Sequence, residues 1–186
     1  MNREAMTDVQ LLYAYVHWKD MGCLGEFLTR HQDPLLRYAS TVLGGDAAAA
    51  QDVVQEAFLG VMKRPKPVLK AESTRNWLLR MVRNIGIDHL RRQSRHRLHV
   101  GKIAETAAEA DEHDAVEAGD ERARVRRAIA SLAPKHQEVL LLKAEHGKSY
   151  KEIAEITGLT VTNVGFRLHE AMKALTARLR EKESAT

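Results

Sequence analysis

The chain has 186 residues, of which 44% are hydrophobic, 29% charged and only 5% aromatic, with a formal net charge of +4. That balance excludes a disordered chain, and the length allows one medium domain or two small ones. The single cysteine, Cys23, excludes an internal disulfide and a multi-cysteine zinc site, and no apolar run reaches the roughly 20 residues that span a bilayer.

A single cysteine suits a reducing cytoplasm, and no basic, apolar and small-residue leader is read at the start of the sequence. A second methionine, Met6, offers an alternative translation start. Gly and Pro are sparse, and Val and Ile recur at helical spacing, which predicts an all-α fold.

Thr7 and Asp8 can cap a first helix whose inner face is Leu11, Leu12, Tyr15 and Val16. A second helix is expected over about 23–31. A third should start at Asp33-Pro34, with Pro at a first helical position, and stop at Gly44-Gly45. Asp46 then caps AAAAQDVVQEAFLGVMKR, where Val53, Val54, Ala57, Phe58, Val61 and Met62 form one apolar stripe. The two prolines of PKPVLKAES predict a loop. Ser73 or Thr74 caps a long helix with Trp77, Leu78, Met81, Val82, Ile85 and Leu90 toward the core.

Residues 100–120 hold Ala, Gly and acids with almost no large apolar side chain, and read as an acidic flexible linker. A second helical unit follows over 121–183. Val125, Ile129 and Leu132 pack its first helix, and Pro134 opens the next, which ends at Gly147. Ser149 and Glu152 make a capping box for a short helix with Ile153, Ala154 and Ile156 inward. Gly158 supplies a turn. Thr160 or Thr162 begins the last helix, with Val161, Val164, Leu168, Met172, Leu175 and Leu179 inward.

A capped short helix, a glycine turn and a helix led by small polar residues match a helix-turn-helix, whose second helix meets base edges in the major groove. The candidate contacts are Thr160, Thr162, Asn163, Arg167 and His169. A plain helical hairpin in a bundle would give the same pattern.

From Arg75 to Lys102, Arg75, Arg80, Arg83, Arg91, Arg92, Arg95, Arg97 and Lys102 face a single acid, Asp88, which is an electrostatic footprint for nucleic acid or a solvated basic face. The linker has the opposite sign and can mimic a nucleic-acid strand, or simply stay in solution. Asp52 and Glu56, four apart with Gln55 beside them, share an outer face and repel slightly, a cost that a cationic partner would relieve. Two solvated acids near a helix N-terminus are the plainer alternative.

Nothing supports an enzyme. There is no Gly-rich phosphate loop, no cofactor motif, and no basic cluster flanking Cys23 in sequence. His89, His96 and His99 sit among arginines that repel a cation and lack a completing carboxylate or cysteine, so no metal is expected.

Three strings, DVVQEAFLGVMK, NWLLRMVRNIGIDHLRR and LAPKHQEVLLLKAEHGKSYKEIAEITGLTVTNVGFRLHEAMKAL, occur in this order with an acidic segment before the third. Together they resemble the extracytoplasmic-function (ECF) sigma factors of bacterial RNA polymerase, of the sigma-70 family, over about 8–99 and 121–180. The resemblance implies a region 2-like domain at 7–99, a linker at 100–120 and a region 4-like helix-turn-helix domain at 121–183.

By similarity, Asp52, Gln55 and Glu56 would dock on the clamp helices of the largest polymerase subunit. The loop from Pro65 to Ser73, with Asn76, Arg80, Arg83 and Asn84, would open the minus-ten element and hold an extruded base, while Arg91 and Arg92 would hold phosphates. The linker would run near the polymerase active-site cleft, and the helix from Thr160 onward would enter the minus-thirty-five element. Further expected partners are the polymerase flap and an anti-sigma factor, in the cytoplasm at the nucleoid.

Family cations around the last helix are replaced here by Gly165, Phe166, Glu170 and Met172. That departure motivates a second reading, a sigma-like decoy that sequesters an anti-sigma factor or polymerase without initiating transcription. A stand-alone helix-turn-helix repressor is a third, but no separate dimerisation helix stands out.

Overall fold

A computed structural model describes residues 2–100, 125 and 127–183; the stretch 101–120 of the expected linker lies outside the described residues. Every regular element among the described residues is helical. The chain divides into two compact units, Met1–Ala108 and Glu109–Thr186.

The first unit contains α1 (Asp8–Trp18), α2 (Met21–Val42), α3 (Ala47–Lys63), α4 (Lys66–Leu69) and α5 (Thr74–Val100). Thr7 caps α1 in a full capping box with Gln10, and Asp46 caps α3 by accepting from the Ala49 N–H at 2.9 Å. Helix α2 is the centre, packing against α1, α3 and α5, while α3 also packs on α5. Its buried stripe of Phe27, His31, Leu35, Tyr38 and Ala39 runs straight through Asp33-Pro34.

The expected break at Asp33 is therefore absent. Proline inside a helix forfeits one backbone hydrogen bond and costs about 3 kcal/mol, but burial on both sides of Pro34 outweighs that. Helix α2 ends where Gly44 and Gly45 take positive φ, 69° and 96°, a backbone region glycine enters without steric cost.

Polar contacts tie the N-terminal segment to α2. The His31 ring meets the Asp8 carboxylate at 2.9 Å, and Arg30 donates to the carbonyls of Arg3, Glu4 and Met6. The hydrogen bond with His31, followed by the charges of His31 and Arg30, holds the Asp8 carboxyl below the usual carboxylate range despite partial burial. The Arg3 guanidinium lies against buried Cys23 and pairs with Asp20 at 3.3 Å, so the thiol has a cationic neighbour that the sequence around it does not reveal.

The second unit contains the helical stretch 127–130, then α6 (Pro134–Ala144), α7 (Tyr150–Thr157) and α8 (Val161–Glu183). Helix α8 packs against both α6 and α7. Its core is Leu132, Val139, Leu142, Ile153, Ile156, Val164, Leu168 and Ala171.

Candidate polymerase and nucleic-acid interfaces

On α3 the stripe Ala49, Ala50, Val53, Val54, Ala57 and Val61 is buried. That leaves Asp52, Gln55 and Glu56 exposed together on the opposite side. Leu59 completes this face and is 51% exposed, an apolar knob one to two turns beyond the three polar residues. Sequence reasoning passed over it. Its signal was a leucine lying off the buried stripe.

Helix α5 begins with Ser73 as its cap, the Asn76 N–H donating to Ser73 Oγ at 3.2 Å. Leu78, Leu79 and Val82 are fully buried. Trp77, Met81 and Ile85, expected in the core, are only half-buried. They line an open pocket of about 270 Å³, whose other walls are Arg80 and Asn84. These five positions follow one another at helical spacing and form a single groove along α5. Met81 reaches across to α3, its Cε occupying the space where Gly60 has no side chain.

The stretch 65–73 is less open than expected. Pro65 and Pro67 stand at the start of α4, where missing N–H groups do no harm, and Val68 is fully buried. Helix α4 touches both α1 and α5.

Arg80, Asn84, Arg91, Arg92 and Arg95 are exposed, while Asn76 and Arg83 are half-buried. The lone acid, Asp88, meets Arg91 at 3.3 Å. A pair this exposed is worth little in water, so Arg91 can exchange it for a phosphate. Among the described residues, His89 and His96 included, no group of three His, Cys, Asp or Glu could hold a metal ion. The side chain of His99 lies outside the described residues.

In the second unit Ser149 and Glu152 form the capping box of α7, and Gly158 ends it at φ 72°. Thr160 is the cap of α8, its Oγ1 accepting the Asn163 N–H at 3.2 Å. Thr162, Asn163 and His169 are exposed and Arg167 is half-buried. Phe166 stands between them at 65% exposure.

Val161 and Met172 were expected to face inward but are exposed; the buried side of α8 is the narrower line Val164, Leu168 and Ala171. A Cβ at Gly165 would sit 3.6 Å from the Tyr150 ring, an ordinary contact, so glycine is not required there for space.

Two family models match the chain. Residues 27–96 match Sigma-70 region 2, and residues 122–175 match Sigma-70, region 4. The chain is 37% identical over 153 residues to the ECF RNA polymerase sigma factor SigL of Mycobacterium tuberculosis, covering 81% of this chain and 85% of that protein. The chain belongs to the ECF sigma factors. The ECF RNA polymerase sigma factor SigC of the same species is 30% identical, with 83% of this chain and 82% of that protein covered.

Among solved structures, the sigma factor RpoE in complex with the anti-sigma factor NepR from Bartonella quintana shares the fold. Its TM-score is 0.70 at 20% identity, over 84% of this chain and 96% of that one. CnrH in complex with the cytosolic domain of CnrY matches with TM-score 0.58 at 25% identity, over 94% and 99%.

This ECF sigma factor is thus a transcription initiation factor that acts with core RNA polymerase at promoter DNA. The acidic face of α3 and the groove of α5 lie within region 2, and α7 with the first half of α8 lies within region 4. No helix among the described residues is long and apolar enough to cross a membrane.

Proposed function

We propose that the first unit docks on polymerase through α3 and melts the minus-ten element through α5. The observation that carries this reading is the α5 groove. It combines an aromatic and apolar floor, Trp77, Met81 and Ile85, with an amide and a guanidinium, Asn84 and Arg80. A base taken out of the duplex needs an apolar face to stack on and polar groups to read its edge. Asn76 and Arg83 stand on the same helix, and Arg91 and Arg92 continue it as cations for phosphates.

Asp52, Gln55 and Glu56 supply an acidic face for the clamp helices of the largest polymerase subunit, with Leu59 as its apolar end. The second unit reads the minus-thirty-five element through α8 and meets the polymerase flap. The two DNA contacts sit on one anchored chain, at 7–99 and 121–183, joined by the acidic linker 100–120. The second contact is then effectively intramolecular and tolerates a weakly charged reading helix. The protein performs no catalysis, works in the cytoplasm at the nucleoid, and is restrained by an anti-sigma factor, the kind of partner that RpoE of Bartonella quintana holds in its complex with NepR.

The test is to map transcription starts on a genomic library with matched core polymerase, with and without this protein. New starts sharing an upstream motif are expected. Intact core binding with no new starts would favour a decoy that sequesters polymerase or an anti-sigma factor. The observation behind that second reading is the apolar exposure of Val161, Phe166 and Met172 on α8.

A further inference from the structure

Phe166 is the one side chain of the α8 reading face whose chemistry hydrogen bonding and phosphate attraction leave unexplained. It lies opposite the buried line Val164, Leu168 and Ala171, at the centre of the outward face. Its neighbours there are Thr162 and Asn163 one turn before, His169 and the half-buried Glu170 one turn after, and Lys173 two turns after. Val161 and Met172 are exposed too, but lie well round the helix. Phe166 is thus a single apolar island in a ring of hydrogen-bonding and charged groups, Glu170 being the one acid and able to accept from a base amino group.

A protein-binding face would continue the apolar surface around it. A base-reading face needs this mixture, because the major groove offers donors, acceptors and one apolar group, the C5 methyl of thymine. We infer that Phe166 is a specificity residue that packs on a thymine methyl in the upstream promoter element. This inference rests on α8 being the helix that enters the major groove.

The experiment uses the full chain with core polymerase and promoter fragments that share a minus-ten region and are randomised upstream. Holoenzyme selects its preferred upstream element, and each thymine in it is then replaced by deoxyuridine, which removes only the methyl. Holoenzyme affinity should fall roughly fourfold at one thymine or more. The fall should persist with Phe166→Leu and vanish with Phe166→Ser. The wild-type scan needs no variant, so a misfolded variant leaves the test standing.

Upstream base-pair changes that weaken binding while deoxyuridine does not would overturn the inference and leave the promoter reading intact. An upstream element at which no change matters would overturn both. Weaker binding of Phe166→Ser to core polymerase in the absence of DNA would assign the ring to a protein contact instead.

Discussion

The two faces proposed to meet nucleic acid, one in each unit, carry opposite resources. Helix α5 carries a run of arginines against one acid and a groove lined by a tryptophan. The outward face of α8 carries small polar side chains, a histidine, a lysine and an exposed phenylalanine, with Glu170 among them. The first surface suits a task dominated by charge and stacking, the holding of an opened strand, which is costly to create. The second suits discrimination between base pairs, for which edge contacts matter more than attraction to phosphate. On the proposed reading, the difference teaches that a helix-turn-helix on a polymerase-anchored chain need not supply its own affinity.

The sharpest way to break this comparison is to remove the anchor. Asp52→Arg with Glu56→Arg sets like charges against a basic partner, which costs several kcal/mol in an interface. Core binding should weaken roughly 100-fold while the helical circular dichroism is unchanged. A folded double variant that binds core normally would remove α3 from the docking surface.

A second variant separates docking from melting. Arg80→Ala with Arg83→Ala should slow open-complex formation about tenfold or more, read by permanganate reactivity of unpaired thymines, with core affinity preserved. Arg91→Ala with Arg92→Ala should in addition flatten the dependence of promoter binding on salt, its logarithmic slope falling by about 1.5 to 2. Lys173→Ala in the second unit should change that slope by at most about one. An equal change from both units would erase the contrast.

The N-terminal lock sharpens the stability side. Asp8→Asn should cost the first unit about 1–2 kcal/mol at neutral pH, the low end for hydrogen bonds to charged groups because the carboxylate is partly exposed. The Asp8 carboxyl has a depressed pKa in the folded chain, held down first by the hydrogen bond with His31. Its contribution is therefore complete above the ordinary carboxylate pKa and is lost as pH falls through the lowered one. Urea titrations should show wild type and variant converging only below about pH 4.

The smallest effect belongs to α8. Gly165→Ala should stabilise the protein by about 0.5–1 kcal/mol, because the added Cβ meets the Tyr150 ring at an ordinary 3.6 Å. A loss of stability in thermal melts would mean that the helix needs glycine at that position.

Much of the architecture was legible from local rules. The caps at Thr7, Asp46 and Ser149 and the turn at Gly158 are short-range hydrogen-bond and dihedral requirements written in the residues themselves, whereas Ser73 and Thr160 each had a second candidate, Thr74 and Thr162, until the hydrogen bonds chose between them. The exposed acidic face of α3 was legible too, because a buried stripe on one side of a helix dictates what lies on the other. Four things were decided by packing between distant segments. Pro34 lies inside one helix because its neighbours on both sides are buried by α1, α3 and α5.

Trp77, Met81 and Ile85 share a face, but only the placement of α3 against α5 left part of that face uncovered as a groove. Arg3 reaches Cys23, and Asp8 reaches His31, across separations that no local pattern encodes. Helical periodicity assigns each residue a direction. Whether that direction ends in core, groove or solvent depends on which other element arrives there, and only the tertiary structure decides that.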